Sequence, residues 1–166
     1  MKKSHYINTI YIFIVLLSTY SCSSSDNKVD TTKPVIELSA VNAFPTNCDT
    51  IYFDETFTLK ALLTDNIELG SFNIDVHNNF DHHTHSTEFE SCVENPIKTP
   101  VNPYIFIQDY SIPPNSTTYN IDMPLLFPSK TGSLEHDEGD YHFQITAIDK
   151  EGWSILKGLN VKILNR

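Results

Sequence analysis

Four of the chain's seven histidines fall between residues 77 and 85, in the run Asp75-Val76-His77-Asn78-Asn79-Phe80-Asp81-His82-His83-Thr84-His85. Neutral imidazole presents a lone pair on one ring nitrogen and is the commonest side-chain ligand for zinc, copper and nickel. Residues two apart in an extended backbone project to the same side. His83 and His85 therefore aim together, and Asp75 and His77 share a face. Farther along, His142 alternates with Tyr141 and Phe143, so it points away from any core those two rings enter. If Leu69–His77 and Tyr141–Asp149 are neighbouring strands, an exposed cluster forms from His77, His142 and one or more of His82, His83 and His85. Asp75, Asp81, Glu88 and His136 are candidate oxygen ligands or hydrogen-bond partners that orient the rings. The chemistry implied is capture of a transition metal, zinc or copper. The plainer alternative is a set of solvated side chains, with Asn78, Asn79 and Asp81 simply building a turn.

Nothing names a reaction. The sequence contains no HExxH, CxxC or GxSxG, the patterns that would announce a zinc hydrolase, a redox dithiol or a serine nucleophile. A metal-dependent hydrolase would also need an open coordination position and a base, for which only Glu88 or Asp81 can be named. A binding module is therefore expected rather than an enzyme. A protein- or glycan-interaction module is the rival reading, and it requires an exposed aromatic patch around Trp153 or Tyr104. Tyr104, Phe106 and Tyr110, interleaved with Ile105 and Ile107, read instead as a strand buried on both faces. Asp65, Glu68, Asp149 and Glu151 could gather a calcium ion at one end of a sandwich, although ordinary turn residues account for them as well.

The elements that must position these side chains have a period of two. Phe57, Leu59, Ala61 and Leu63 alternate with Thr58, Lys60, Leu62 and Thr64. Phe72, Ile74 and Val76 alternate with Asn73, Asp75 and His77. Tyr141, Phe143, Ile145 and Ala147 alternate with His142, Gln144, Thr146 and Ile148, and Leu159, Val161 and Ile163 follow the same rule. Such alternation marks strands with one buried face. Val35–Leu38, Ile51–Phe53, Tyr104–Ile112 and Tyr119–Leu125 are further strand candidates. Asp65-Asn66, Pro113-Pro114-Asn115, Glu138-Gly139-Asp140 and Glu151-Gly152 supply the turns. About seven short strands with no helical period predict an all-β protein, one antiparallel immunoglobulin-like β-sandwich over residues 34–166.

The N-terminus has the charged, apolar, small-residue order of a secretory signal: Lys2 and Lys3, an apolar run over Ile10–Leu17, then Ser21 before Cys22. That run is too short to span a bilayer, which takes about 20 residues. Residues 1–21 read as a lipoprotein signal peptide, Cys22 as the lipidated residue, and 22–33 as a lipidated cysteine with a flexible polar tether. Thr19 and Tyr20 depart from the usual residues of such a site. The destination implied is the cell envelope, membrane-anchored through lipid, with the outer membrane favoured. Assigning Cys22 to lipid leaves Cys48 and Cys92 as an even pair in an oxidising compartment. A disulfide between them would close a loop of about 45 residues, worth up to about 4 kcal/mol; two free buried thiols are the alternative. Net charge is −10, and losing residues 1–21 removes two lysines and no acid, leaving −12. That sign argues against nucleic acid as a partner and suits a solvated envelope protein or one that attracts cations.

Several fragments resemble known modules. Asp30-Thr31-Thr32-Lys33-Pro34-Val35-Ile36, Asp65-Asn66 with Leu69-Gly70-Ser71-Phe72, and Glu138-Gly139-Asp140-Tyr141 with Ala147-Ile148-Asp149 resemble strands of bacterial immunoglobulin-like domains, the last placing a tyrosine corner at Tyr141. The His77–His85 run, Thr46-Asn47-Cys48-Asp49-Thr50-Ile51, Thr64-Asp65-Asn66 with Glu68-Leu69-Gly70, Pro103-Tyr104 through Asp109-Tyr110, and Glu138-Gly139-Asp140-Tyr141-His142-Phe143 with Glu151-Gly152-Trp153 resemble an uncharacterised family of Bacteroidota lipoproteins, domain-of-unknown-function family 4625. The resemblance covers most of residues 34–166. It implies an exported, lipid-anchored, all-β protein and transfers no established activity, so the metal reading stands on the residues alone.

Overall fold

The computed structural model describes residues 29–39, 42–88 and 90–166; the expected signal peptide and Cys22 lie outside them. Among the described residues ten strands follow in order: β1 (Val35–Glu37), β2 (Thr50–Tyr52), β3 (Thr56–Thr64), β4 (Leu69–Asn78), β5 (Phe106–Ser111), β6 (Thr118–Leu126), β7 (Lys130–Thr131), β8 (Leu134–Glu135), β9 (Gly139–Asp149) and β10 (Ser154–Leu164). Two sheets form the sandwich. One has the order β1-β3-β6 and the other β2-β10-β9-β4-β5, while β7 and β8 make a small separate hairpin. Pairing is antiparallel except for β2, which runs parallel to β10. This is an immunoglobulin-like all-β sandwich.

The alternating residues fill the space between the sheets. Leu59 and Leu63 of β3 and Ile121 and Leu125 of β6 face Phe72, Ile74 and Val76 of β4, Phe143 and Ile145 of β9, and Val161 and Ile163 of β10, all buried. Tyr141 brings its ring into the same core, and its hydroxyl donates to the Asp137 carbonyl at 2.5 Å while accepting from Tyr104 N–H at 3.1 Å. A buried phenol therefore keeps both its donor and its acceptor occupied, and it ties the start of β9 to the chain four residues upstream.

Three details differ from the sequence expectations. The segment around Tyr104 is not buried on both faces: β5 is an edge strand, and Ile105 and Ile107 are 60% and 63% exposed. Apolar residues in an unbroken run have no period to separate an edge from a centre. Gly139 and Asp140 open β9 instead of forming a turn, with Gly139 at φ 138° beside the Phe80 ring. Asp30, placed in the polar tether, is 3% exposed, so residues before position 34 also pack onto the sandwich.

Candidate metal centre

His77 and His142 are cross-strand partners in the β4–β9 ladder, on the face away from the core. That register alone sets their rings 5.4 Å apart. The connection from β4 to β5, residues 79–105, contains no regular element among its described residues and folds back over this outer face. Asn79 N–H donates to Asp140 O, and His82, at φ 59°, ends the turn that redirects the chain. The extended stretch after it lays His83 and His85 onto the sheet. Their ring centroids lie 4.9 and 5.2 Å from that of His142.

Contact with β10 holds the covering segment down. Thr87 N–H donates to Gly158 O at 2.9 Å and Gly158 N–H donates to Thr87 Oγ1 at 3.1 Å. Gly158 is the residue that permits this: a Cβ there would stand 2.1 Å from the His85 carbonyl oxygen. Within a strand, glycine marks such a close approach of another backbone. Farther along, Asn95 N–H donates to Asp140 Oδ2 at 2.6 Å, and Lys162 Nζ donates to Asn95 Oδ1 at 3.0 Å. A disulfide joins Cys92 of this segment to Cys48, with Cα atoms 5.3 Å apart.

One ligating nitrogen from each of His77, His83, His85 and His142 comes within 4.8 Å of all the others. Nitrogens bound at 2.0–2.1 Å to a tetrahedral ion stand about 3.3 Å from one another, so the four would draw together by up to about 1.5 Å to close a coordination shell. Hydrogen bonds set the tautomers. His77 Nδ1–H donates to Asp75 Oδ1 at 2.7 Å and His83 Nδ1–H to Asp81 Oδ1 at 2.5 Å, each leaving Nε2 with a lone pair. His142 Nε2–H donates to the His83 carbonyl at 3.0 Å, which leaves Nδ1 bare, buried and without any hydrogen-bond partner. His77 Nε2 and His85 Nδ1 are 3.1 Å apart. Carboxylates behind metal-binding imidazoles fix the ring orientation and raise ligand basicity. Asp75 and Asp81 stand in those positions.

His142 is 1% exposed, not the outward, solvated ring that alternation suggested. The sheet face is the expected one, but the covering segment seals it. Burial, aided by the neighbouring His83, His77 and His85 rings and opposed by the bond to the His83 carbonyl, brings its pKa down to about 4. The ring therefore stays neutral and ligand-competent across the physiological range. The bond from His83 holds the Asp81 carboxyl below its ordinary range.

His82 does not join the group. Its Nε2–H donates to Asn95 O at 2.9 Å and its Nδ1 lies 3.4 Å from Glu94 Oε2, so both nitrogens face acceptors. Glu88 pairs with Lys157. His136 packs against Phe53 and Tyr104 and bonds Thr131 and Asn102, apart from the cluster. Tyr104 is 7% exposed and Trp153 42% exposed, with its Nε1–H donating to Asp30 O. The covering segment is what alternation could not reveal, although Gly158 inside β10 and the length of the Asn79–Ile105 connection were its signals.

No curated protein matches the chain. The domain-of-unknown-function model DUF4625 matches residues 20–164, and the chain belongs to that family.

Proposed function

We propose that the domain holds a transition-metal ion, zinc or copper, clamped between the outer face of β4 and β9 and the segment that covers it. The observation that carries this reading is the bare Nδ1 of His142, buried without a partner among three other imidazoles. A buried acceptor left unsatisfied costs about 1–3 kcal/mol, and a metal ion is the partner that all four rings can share. Imidazole-only coordination suits zinc and copper, with copper the more strongly bound of the two in a given nitrogen site.

Four rings favour retention over catalysis, since a tetrahedral ion with four protein ligands has no position for a reacting water. The shallow depression beside the cluster, lined by His85, Gln144 and Leu156, offers no carboxylate base in its described lining. An aromatic interaction platform is a weaker reading: the Tyr104 ring is inside the core, and Trp153, though 42% exposed, stands without Tyr104 beside it at the surface and is held by its Nε1–H on Asp30 O. The Lys2-Lys3, apolar and Ser21-Cys22 order supports delivery to the cell envelope and anchoring through lipid on Cys22. The role is then sequestration, sensing or delivery of metal at a membrane surface.

Elemental analysis of the purified protein, beside His77→Ala and His83→Ala, tests the metal reading. About one zinc or copper per chain, lost in both variants, is expected. Stoichiometry far below one, or unchanged by both substitutions, rejects it.

A further inference from the structure

A second group of ligand atoms lies at the end of the sandwich where β3 turns into β4 and β9 into β10. Asp30 arrives there from the chain before β1, Asp65 from the β3–β4 turn, and Asp149 from the last position of β9. One carboxylate oxygen from each lies within 4.8 Å of the other two.

The three carboxylates are used in the same way. Oδ1 of Asp30 accepts from Thr32 N–H and Asn66 Nδ2, Oδ1 of Asp65 from Ile67 and Glu68 N–H, and Oδ1 of Asp149 from Trp153 N–H. Oδ2 of all three is buried and has no partner. Asp30 and Asp149 are each only 3% exposed. Among the described residues no lysine or arginine pairs with any of them; Lys150, the nearest in sequence, lies 3.8 Å from Glu68 instead. Three unsatisfied carboxylate oxygens with no counter-charge repel one another, and buried charge of one sign demands a cation.

We propose that Asp30, Asp65 and Asp149 form a site for a hard divalent cation, calcium in particular. Oxygen-only donors suit hard cations better than the softer metals favoured by imidazole. Calcium accepts irregular oxygen shells completed by water, whereas magnesium demands a near-ideal octahedron. The site ties three separated pieces of chain together and pins the residues leading into β1 onto the domain. Glu68 and Glu151 are not members: Glu68 Oε1 is held by Asn115 N–H and lies beside Lys150, and Glu151 is exposed and outside the group of converging oxygens.

The test uses the full-length chain, stripped with chelator and titrated with CaCl2 by calorimetry and thermal melting. Expected are about one calcium per chain and a melting temperature raised by roughly 5 °C in millimolar calcium. Asp65→Asn and Asp149→Asn keep an accepting oxygen for the turn bonds and remove one negative charge. Each is expected to abolish the calcium-dependent rise without lowering the metal-free melting temperature. His77→Ala is expected to respond to calcium as the wild type does. Trp153, the only tryptophan, bonds Asp30 directly, so terbium bound in place of calcium should luminesce when the indole is excited. Absence of calcium heat and of any melting shift in the folded wild type overturns the proposal. So does an undiminished calcium response in both aspartate variants, or loss of that response in His77→Ala.

Discussion

Gly158→Ala separates the covering segment from the sheet without altering any ligand side chain. The new Cβ would stand 2.1 Å from the His85 carbonyl oxygen, where real contacts keep at least 3.0 Å, so one backbone must retreat by about 0.9 Å. Neither partner is a flexible side chain, so no rotamer change relieves the clash. The retreat strains two hydrogen bonds, Thr87 N–H to Gly158 O and Gly158 N–H to Thr87 Oγ1. At about 1 kcal/mol each, their loss costs the fold roughly 2 kcal/mol. The displacement also exceeds the ±0.2 Å or so within which ligand distances must fall. His83 and His85 ride on the moving segment while His77 and His142 stay in the ladder. Zinc affinity should therefore drop at least tenfold, about 1.4 kcal/mol. Competition titration against a chromogenic zinc chelator reads the affinity, and urea unfolding reads the stability. A folded Gly158→Ala protein that binds zinc within twofold of wild type would refute the view that sheet and cover build the site jointly.

Further outcomes are expected. His82→Ala should leave zinc affinity within twofold of wild type, because both its nitrogens are engaged by Glu94 and Asn95, while His142→Ala should abolish stoichiometric binding; the same titration checks both. Asp75→Asn should weaken zinc binding about tenfold by removing the carboxylate behind His77 Nδ1. In metal-free protein, His142 takes up its proton at about 4 in the folded state against an ordinary 6.5. Its contribution to stability is thus full above pH 6.5 and is lost as pH falls toward 4, by about 3 kcal/mol; urea midpoints across that range should show the slope, and His142→Asn should flatten it. Replacing Cys48 and Cys92 by serine opens a connection of 44 residues, which should cost up to about 4 kcal/mol on the chain-entropy model and loosen zinc binding as well, measurable by calorimetric melting and titration.

Strand positions were legible because one face of each long strand is apolar. Phe72, Ile74 and Val76 announce β4 and its inward side, and the pleat then dictates where His77 points. Pairing with His142 followed from the sandwich topology, since β4 and β9 are neighbours in it. What alternation cannot express is a second layer made of irregular chain. Residues 79–105 have no period, and their contacts with β10 join positions some seventy residues apart, such as Thr87 with Gly158. Burial of His142 comes from that layer, so a ring assigned to solvent lies under cover. The split between His82 and its neighbours was equally hidden, because it depends on the single left-handed residue at the turn. Asp30 was misjudged for a related reason: a polar, charged stretch reads as tether until its partners, Asn66 and Trp153, are placed beside it.

X-ray absorption at the zinc edge of the loaded protein tests the central claim most directly. Convergence of His77, His83, His85 and His142 on one ion predicts a shell of four nitrogens at about 2.0–2.1 Å, with the outer scattering of imidazole rings. A shell with two or fewer imidazoles, or one completed by sulfur, would contradict it.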